Sequence, residues 1–265
     1  TSDTFLYDLK QAPTWNNIGD FDYGNMDEFA SEAFGGTTSP TFVNYVEGIY
    51  VGYKFYETAD DEGLIDYDAT VQYPFGYGLS YTTFSQELGD VTYADGTVSL
   101  DVTVTNTGDV AGKDVVEVYY NPPYTNGGIE KASANLVAFD KTGELEPGES
   151  ETVSIEFEDD DMASYDYEDA KAWVLEEGDY AVSINSDSHT VIDSATVNVP
   201  ETITFDSEDN THDGDQVVAT NAFDDANGGL NYLSRADGFA NYAEATAAPA
   251  TMSMPEEYKA TFINN

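Results

Sequence analysis

The chain has 265 residues and carries 52 Asp and Glu against 8 Lys and Arg, a formal net charge of -44. Nucleic-acid binding is excluded, because phosphate contact needs a basic face and the eight cations stand singly along the chain, and an anionic membrane is disfavoured for the same reason. Hydrophobic residues at 40% and aromatic residues at 14% are enough to bury a core, while the lack of Cys excludes disulfides, thiol catalysis and Cys-ligated zinc.

No stretch approaches the roughly 18 apolar residues of a membrane span, so no membrane segment is expected in this chain. Its first residues, Thr1-Ser-Asp-Thr-Phe-Leu-Tyr-Asp8, lack the basic and apolar regions of a signal peptide and begin without Met, which reads as a piece of something longer. Residues 1–40 read as irregular, since Pro13, Asn16-Asn17, Gly19, Gly24 and Gly35-Gly-Thr-Thr-Ser-Pro40 interrupt every period. Between Thr41 and Glu57, the positions Phe42, Val46, Ile49, Tyr50 and Tyr53 partly follow helical spacing, but Gly48 and Gly52 weaken it. Helix and extended chain both stay open there. Residues 73–84, Tyr-Pro-Phe-Gly-Tyr-Gly-Leu-Ser-Tyr-Thr-Thr-Phe, are too rich in Gly and aromatics for a regular element and read as a loop packed on another surface.

From Val91 the pattern is strong. Val98, Leu100, Val102 and Val104 alternate with Ser99, Asp101, Thr103 and Thr105, the period of two that faces one side to a core. Asn106-Thr-Gly108 supplies a turn, Val115–Tyr120 a second strand, and further strands are expected at 135–139, 152–157, 180–184 and 194–199. Six or more short strands and no convincing helix predict an antiparallel β-sandwich of about 100 residues, with Val102, Val104, Val116, Val118, Ile155 and Trp173 buried. After Pro200 the composition turns polar at 206–215 and small at 243–249, which reads as a connector. Within it, residues 223–242 are aromatic enough to dock on a neighbour.

With 52 carboxylates, acid pairs arise at any spacing and identify no active site. His189 and His212 are the only histidines, fit no metal or triad spacing, and are expected at the surface. The run Asp206–Asp215 lacks the order and the closing Glu of a calcium loop. Glu47, between Tyr45 and Tyr50 in the densest aromatic segment, is the carboxylate expected to be partly buried, paired with Lys54 or backbone amides or else touching a ligand. No cofactor and no metal are expected.

Residues 45–56, Tyr-Val-Glu-Gly-Ile-Tyr-Val-Gly-Tyr-Lys-Phe-Tyr, followed by the 73–84 segment, resemble a pair of motifs near the end of the second catalytic-region domain of glycoside hydrolase family 3, the β-glucosidase and β-xylosidase family. Val102–Tyr119, Phe139-Asp-Lys-Thr142, Leu145-Glu-Pro-Gly-Glu149 and Ala163-Ser-Tyr-Asp166 resemble that family's fibronectin type III-like domain. Residues 1–9 and 232–242 resemble flanking stretches of members with permuted domain order, the (β/α) barrel coming last.

The resemblance implies three parts: 1–84 as the irregular end of an α/β sandwich domain, 85–200 as a fibronectin type III-like β-sandwich, and 201–265 as a connector towards a missing (β/α) barrel. It implies a non-catalytic portion of a retaining β-glycosidase acting on a β-linked oligosaccharide or glycoside. The family's nucleophile and acid/base match no residue here, so no catalytic residue is assigned. Tyr45, Glu47 and Tyr50 are the candidates for substrate contact, and Lys54 stands where many members have Arg, which removes a bidentate contact and keeps the charge. The rival reading is a free-standing β-sandwich that binds carbohydrate or a partner through exposed aromatics. An extracellular or cell-surface setting fits the acidic composition slightly better than the cytoplasm.

Overall fold

The computed structural model describes residues 18–20, 31–33, 36–38, 41–43, 45–221 and 230–247. They fall into two compact units. One holds the described residues 49–221 and 235–239; the other holds those up to 48 together with 230–234 and 240–247. The remainder of the 1–40 stretch, residues 222–229 of the aromatic connector segment and the tail after 247 lie outside the described residues.

In the smaller unit, β1 (Ile18–Asp20) pairs antiparallel with β4 (Thr41–Val43), and β2 (Ser31–Ala33) with β3 (Gly36–Thr38). This corrects the expectation of a wholly irregular 1–40. Three-residue strands are too short to show a period, and Gly19 and Gly36, which break it in the sequence, lie within β1 and β3.

The larger unit begins with α1 (Tyr53–Asp61) and α2 (Tyr67–Thr70). The 41–57 segment holds both: β4 at its start and, from Tyr53, helix α1, whose interior has no Gly and which starts directly after Gly52, at φ 61. It ends in a Schellman arrangement, in which Gly63 N donates to Asp60 O at 2.8 Å and Leu64 N to Ala59 O at 2.8 Å, with Gly63 in the left-handed region at φ 73. Helix α2 is capped by Asp66, whose carboxylate accepts from Ala69 N at 3.1 Å.

The sandwich follows. β5 (Phe84–Ala94), β6 (Thr97–Asn106) and β9 (Ser150–Glu158) form one antiparallel sheet in the order β5-β6-β9. β7 (Val115–Asn121), β8 (Asn135–Lys141), β12 (Gly178–Asn185) and β13 (Val191–Val199) form the other, in the order β13-β12-β7-β8. The layers meet at both edges, β13 beside β5 and β8 beside β9. The β5–β6 hairpin turns on Asp95-Gly96 at φ 53 and 86, the two positive values that a two-residue turn of the right twist requires.

Alternation decides the core. On β6, Val98, Leu100, Val102 and Val104 point inward, met by Val153, Ile155 and Phe157 from β9 and by Val116, Val118, Val182 and Ile184 from the facing sheet. On β7 the alternation breaks after Val118, where the β7–β8 register shifts and Tyr119 and Tyr120 are both buried. A third sheet, β10 (Ser164–Asp166), β11 (Ala172–Leu175) and β14 (Ile203–Phe205), closes one end, so residues 203–205 of the segment read as connector pair with the sandwich region. Trp173, expected in the core, is partly buried against it, its ring edge-on to Tyr165 at 5.7 Å and stacked on His212 at 4.3 Å, while Leu175 on the same strand lies inside the core cluster.

Asn106, at the predicted turn, is fully buried, and its side-chain amide makes four bonds. Oδ1 accepts from Thr82 Oγ1 at 2.8 Å and Gly108 N at 3.1 Å, and Nδ2 donates to Val110 O and Leu145 O, each at 2.8 Å. A buried amide satisfied on both ends fixes this corner in a single geometry.

The carboxylates make stability depend on pH with a definite sign. Burial raises the Glu117 carboxyl, the Tyr119 hydroxyl bonded to it opposes the shift, and Asp187 and Asp114 add to it. A raised acid binds protons more readily when folded, so stability rises as pH falls from neutral through its folded pKa. Asp166 has the opposite shift: burial disfavours its charge, but the amides of Ala170, Asp169 and Glu168 outweigh that and hold it low. Its contribution is present above the ordinary Asp value of about 3.9 and is lost as pH falls through the lower folded one. Relief of self-repulsion at -44 acts in the same direction as Glu117. The melting temperature is therefore expected to rise from pH 8 to about 5 and to fall below about 4. A monotonic fall from neutral pH in a thermal-melt series would contradict this.

Candidate functional site

The residues singled out from sequence do not form one cluster. In the smaller unit, Tyr45 is 74% exposed, while Glu47 is partly buried with Oε2 shielded and lacking a hydrogen-bond partner among the described residues. Neither the expected Lys54 nor a backbone amide holds that oxygen. In the larger unit, Tyr50 is 1% exposed, its hydroxyl donates to Glu130 Oε2 at 2.5 Å, and burial followed by the Glu130 charge pushes its pKa far up. Its ring packs edge-on against Phe239 at 5.0 Å. Tyr50 is thus engaged on every side.

The buried carboxylate of the aromatic segment is Glu57, which sequence reasoning passed over in favour of Glu47. Helix α1 turns Glu57 inward beside Phe55, Thr58 and Ala59, leaving it 6% exposed. Both oxygens are engaged. Oε1 accepts from Tyr67 Oη and from Ser188 Oγ, each at 2.7 Å, and Oε2 lies 2.8 Å from His189 Nδ1. Facing a carboxylate, Nδ1 carries a proton and donates it to the Glu57 carboxylate. The imidazole stacks on the Tyr67 ring at 3.8 Å with 3° between planes, and burial, then the bond to Glu57, raises the Tyr67 pKa. Three donors around one buried carboxylate satisfy it, which is the condition under which such a charge is tolerated.

Beside this network opens a cleft of about 280 Å³ lined by Asp60, Tyr119, Asn121, Ser133, Asn185 and His189, among others. Two polar atoms of its lining residues, Asn185 Oδ1 and Ser133 Oγ, have no hydrogen-bond partner among the described residues. No group of three or more His, Asp or Glu among the described residues is arranged to hold a metal ion.

His189 is exposed, as expected, and His212 is partly so, yet both are held in place: His189 by the contacts above, and His212 by stacking on Trp173 at 4.3 Å with its Nε2 3.0 Å from Asp160 O. Their partners come from distant sequence, Glu57 and Tyr67 on the two helices and Asp160 and Trp173 beyond β9, so no local spacing announced them.

The 73–84 loop seats one ring and displays others. Phe75 stacks on Tyr53 at 4.7 Å, its carbonyl accepts from Ser188 N at 2.8 Å, and Gly76 takes φ 87, a conformation that favours Gly. Tyr73, Tyr77, Leu79 and Tyr81 face solvent in the described chain, the last two 90% and 99% exposed.

Residues 114–188 match the fibronectin type III-like domain family. A β-glucosidase of Kluyveromyces marxianus is 38% identical over 164 residues, covering 58% of this chain and 18% of its own length. An exo-α-(1→6)-L-arabinopyranosidase of Bifidobacterium breve is 36% identical over 158 residues, covering 58% of this chain and 19% of its own length. Among solved structures, β-glucosidase 3B of Thermotoga neapolitana, in complex with α-D-glucose, matches with a TM-score of 0.52 at 39% identity, covering 59% of this chain and 20% of that one. The chain spans about a fifth of the length of the curated relatives it matches. Fold, domain match and relatives together support a C-terminal region of the glycoside hydrolase family 3 type, carrying a fibronectin type III-like sandwich.

Proposed function

We propose that the chain is the non-catalytic portion of a retaining β-glycosidase of domain-permuted order, acting on β-linked oligosaccharides or glycosides, in which the sandwich is a structural scaffold. In this reading residues 1–84 end an α/β sandwich domain, 85–200 form the scaffold, and 201–265 lead to a (β/α) barrel that carries the nucleophile. The observation that carries it is the match of about three fifths of this chain to about one fifth of β-glucosidases. The chemistry agrees. A retaining enzyme needs a free carboxylate to attack the anomeric carbon and a second carboxyl about 5–5.5 Å away to protonate the leaving oxygen. Glu57, the most buried acid among the described residues, has both oxygens occupied by donors, so it anchors rather than attacks. Tyr45 and Glu47 remain the candidates to touch substrate, whereas the Tyr50 hydroxyl is already bonded to Glu130.

The exposed Tyr73, Tyr77 and Tyr81 favour the second reading, a carbohydrate-binding sandwich, because free aromatic faces suit sugar rings. The test is nitrophenol release from aryl β-glucosides and β-xylosides by purified chain, alone and joined to a barrel. The chain alone is expected to give no measurable turnover and no retention on β-glucan, and the joined protein to be active. Losing one catalytic group costs about 10²–10⁴ in rate, and here both are absent. Turnover by the chain alone that disappears on Glu47→Gln would overturn the scaffold reading, and retention on glucan lost on Tyr81→Ala would favour the second one.

A further inference from the structure

The chain contains one arginine, Arg235, and 52 acidic residues to choose from, yet this cation is not at the surface. Its guanidinium donates from Nε to Glu62 Oε1 at 2.6 Å and from Nη1 to the Lys131 carbonyl at 3.0 Å, and Cζ lies 4.3 Å over the Tyr124 ring. Its backbone amide donates to Glu130 Oε2 at 3.0 Å, the same oxygen that accepts from Tyr50. Four residues on, Phe239 is 1% exposed, edge-on to Tyr50 at 5.0 Å and to Phe55 at 5.9 Å. Between these anchors, Asp237 and Asn126 exchange two bonds of 2.8 Å, backbone N to Oδ1 and Nδ2 to Oδ1.

The backbone between the anchors is itself specified. Asp237, Gly238 and Phe239 take φ of 52, 68 and 59, three consecutive left-handed residues forming the one-turn α3 (Ala236–Phe239). Only Gly adopts that region freely, so the turn persists because contacts at both ends impose it. The pattern of a charged anchor, a reciprocal polar clasp and a buried aromatic is that of a peptide seated in a binding site. The sandwich core, built from β5 to β14, contains neither Phe239 nor Tyr50 nor Phe55, and is closed without them.

We propose that the groove of Tyr50, Phe55, Glu62, Tyr124, Asn126 and Glu130 is a peptide-recognition site for the sequence Arg-Ala-Asp-Gly-Phe, filled in this chain by its own residues 235–239. The segment is a ligand carried in cis. A second copy of the same sequence can take its place. The inference does not rest on the glycosidase reading, because its readout is binding and not hydrolysis.

The test uses the full chain carrying Arg235→Ala and Phe239→Ala together, which vacates the groove, and a fluorescent peptide of residues 232–241 titrated by anisotropy. The variant is expected to keep its β-sheet circular dichroism and cooperative melting, and to bind the peptide saturably. A peptide with Ala at the Arg and Phe positions is expected to bind at least about tenfold more weakly. A second measurement uses the unmodified chain: excess peptide is expected to speed amide exchange at Arg235, Asp237, Gly238 and Phe239, which are bonded to Glu130, Asn126 and Arg235 O, and to leave the β6 amides protected. Equal affinity for the Ala peptide, no saturable binding by the folded variant, or exchange unaffected by excess peptide would overturn the proposal. So would a double variant that fails to fold, since the segment would then be part of the fold and not its ligand.

Discussion

Val102→Asp is expected to abolish the folded sandwich. Val102 is fully buried at the middle of β6, paired with Leu88 on β5 and Val153 on β9, and it faces the Val and Ile side chains of the opposite sheet. The Lys among the described residues, and Arg235 with them, lie outside this core cluster, so a carboxylate placed there has no partner among the described residues. An unpaired buried charge costs several kcal/mol even after relaxation, or forces protonation at a similar cost, against a whole-domain stability of about 5–15 kcal/mol. The control lies one residue on: Thr103 is exposed on the same strand opposite Glu87, so Thr103→Lys is expected to change stability by no more than about 0.5 kcal/mol. Circular-dichroism melting of the two variants separates them. Cooperative melting of Val102→Asp at the unmodified temperature would mean that β6 is not in the core.

That β6 could be assigned from sequence, and α1 could not, has a physical cause. A strand that faces water on one side writes its burial into every second residue, and Val98 to Val104 do so without exception. Helix α1 has nine residues, enough for only two turns of periodicity, and one of its four buried positions is a glutamate. A charged residue turned inward subtracts from the apolar signal at the very point where the structure depends on it. Trp173 is a different case: its partial cover comes from Tyr165 and His212, 8 and 39 residues away, which the apolar pattern of β11 does not report.

The site followed the same division. Glu47 drew attention through local aromatic density, whereas Glu57 is defined by partners 10, 131 and 132 residues away, a relation that only folding creates. Arg235 left a usable trace, being the only arginine in a chain of net charge -44 and followed by Asp-Gly-Phe. A cation that scarce, set beside a turn signal and an aromatic, is a reason to look for a partner groove.

Glu57→Ala is expected to detach the helical segment from the sandwich at a cost of about 2–5 kcal/mol, the range for removing one partner of a buried, hydrogen-bonded charge network. The carboxylate is the node that joins α1 to α2 through Tyr67 and to the β12–β13 connection through Ser188 and His189. Truncation leaves the Tyr67 hydroxyl, the Ser188 hydroxyl and one imidazole N–H facing a void, and nothing in the cleft lining replaces two acceptors at once. Glu57→Gln separates charge from shape. Its Oε1 still accepts from Tyr67 and Ser188, while the new NH₂ faces His189 and obliges Nδ1 to become the acceptor. The Gln variant is therefore expected to retain most of the stability and to move the imidazole proton to Nε2, a change visible in the ¹⁵N shifts of His189. The Ala variant is expected to show faster amide exchange across residues 53–70 and 186–190 before the β6 and β9 amides open. An Ala variant with unchanged melting and unchanged exchange in both segments would show that the network is spectator to the fold, and a Gln variant as damaged as Ala would show that its charge, rather than its geometry, holds the helices in place.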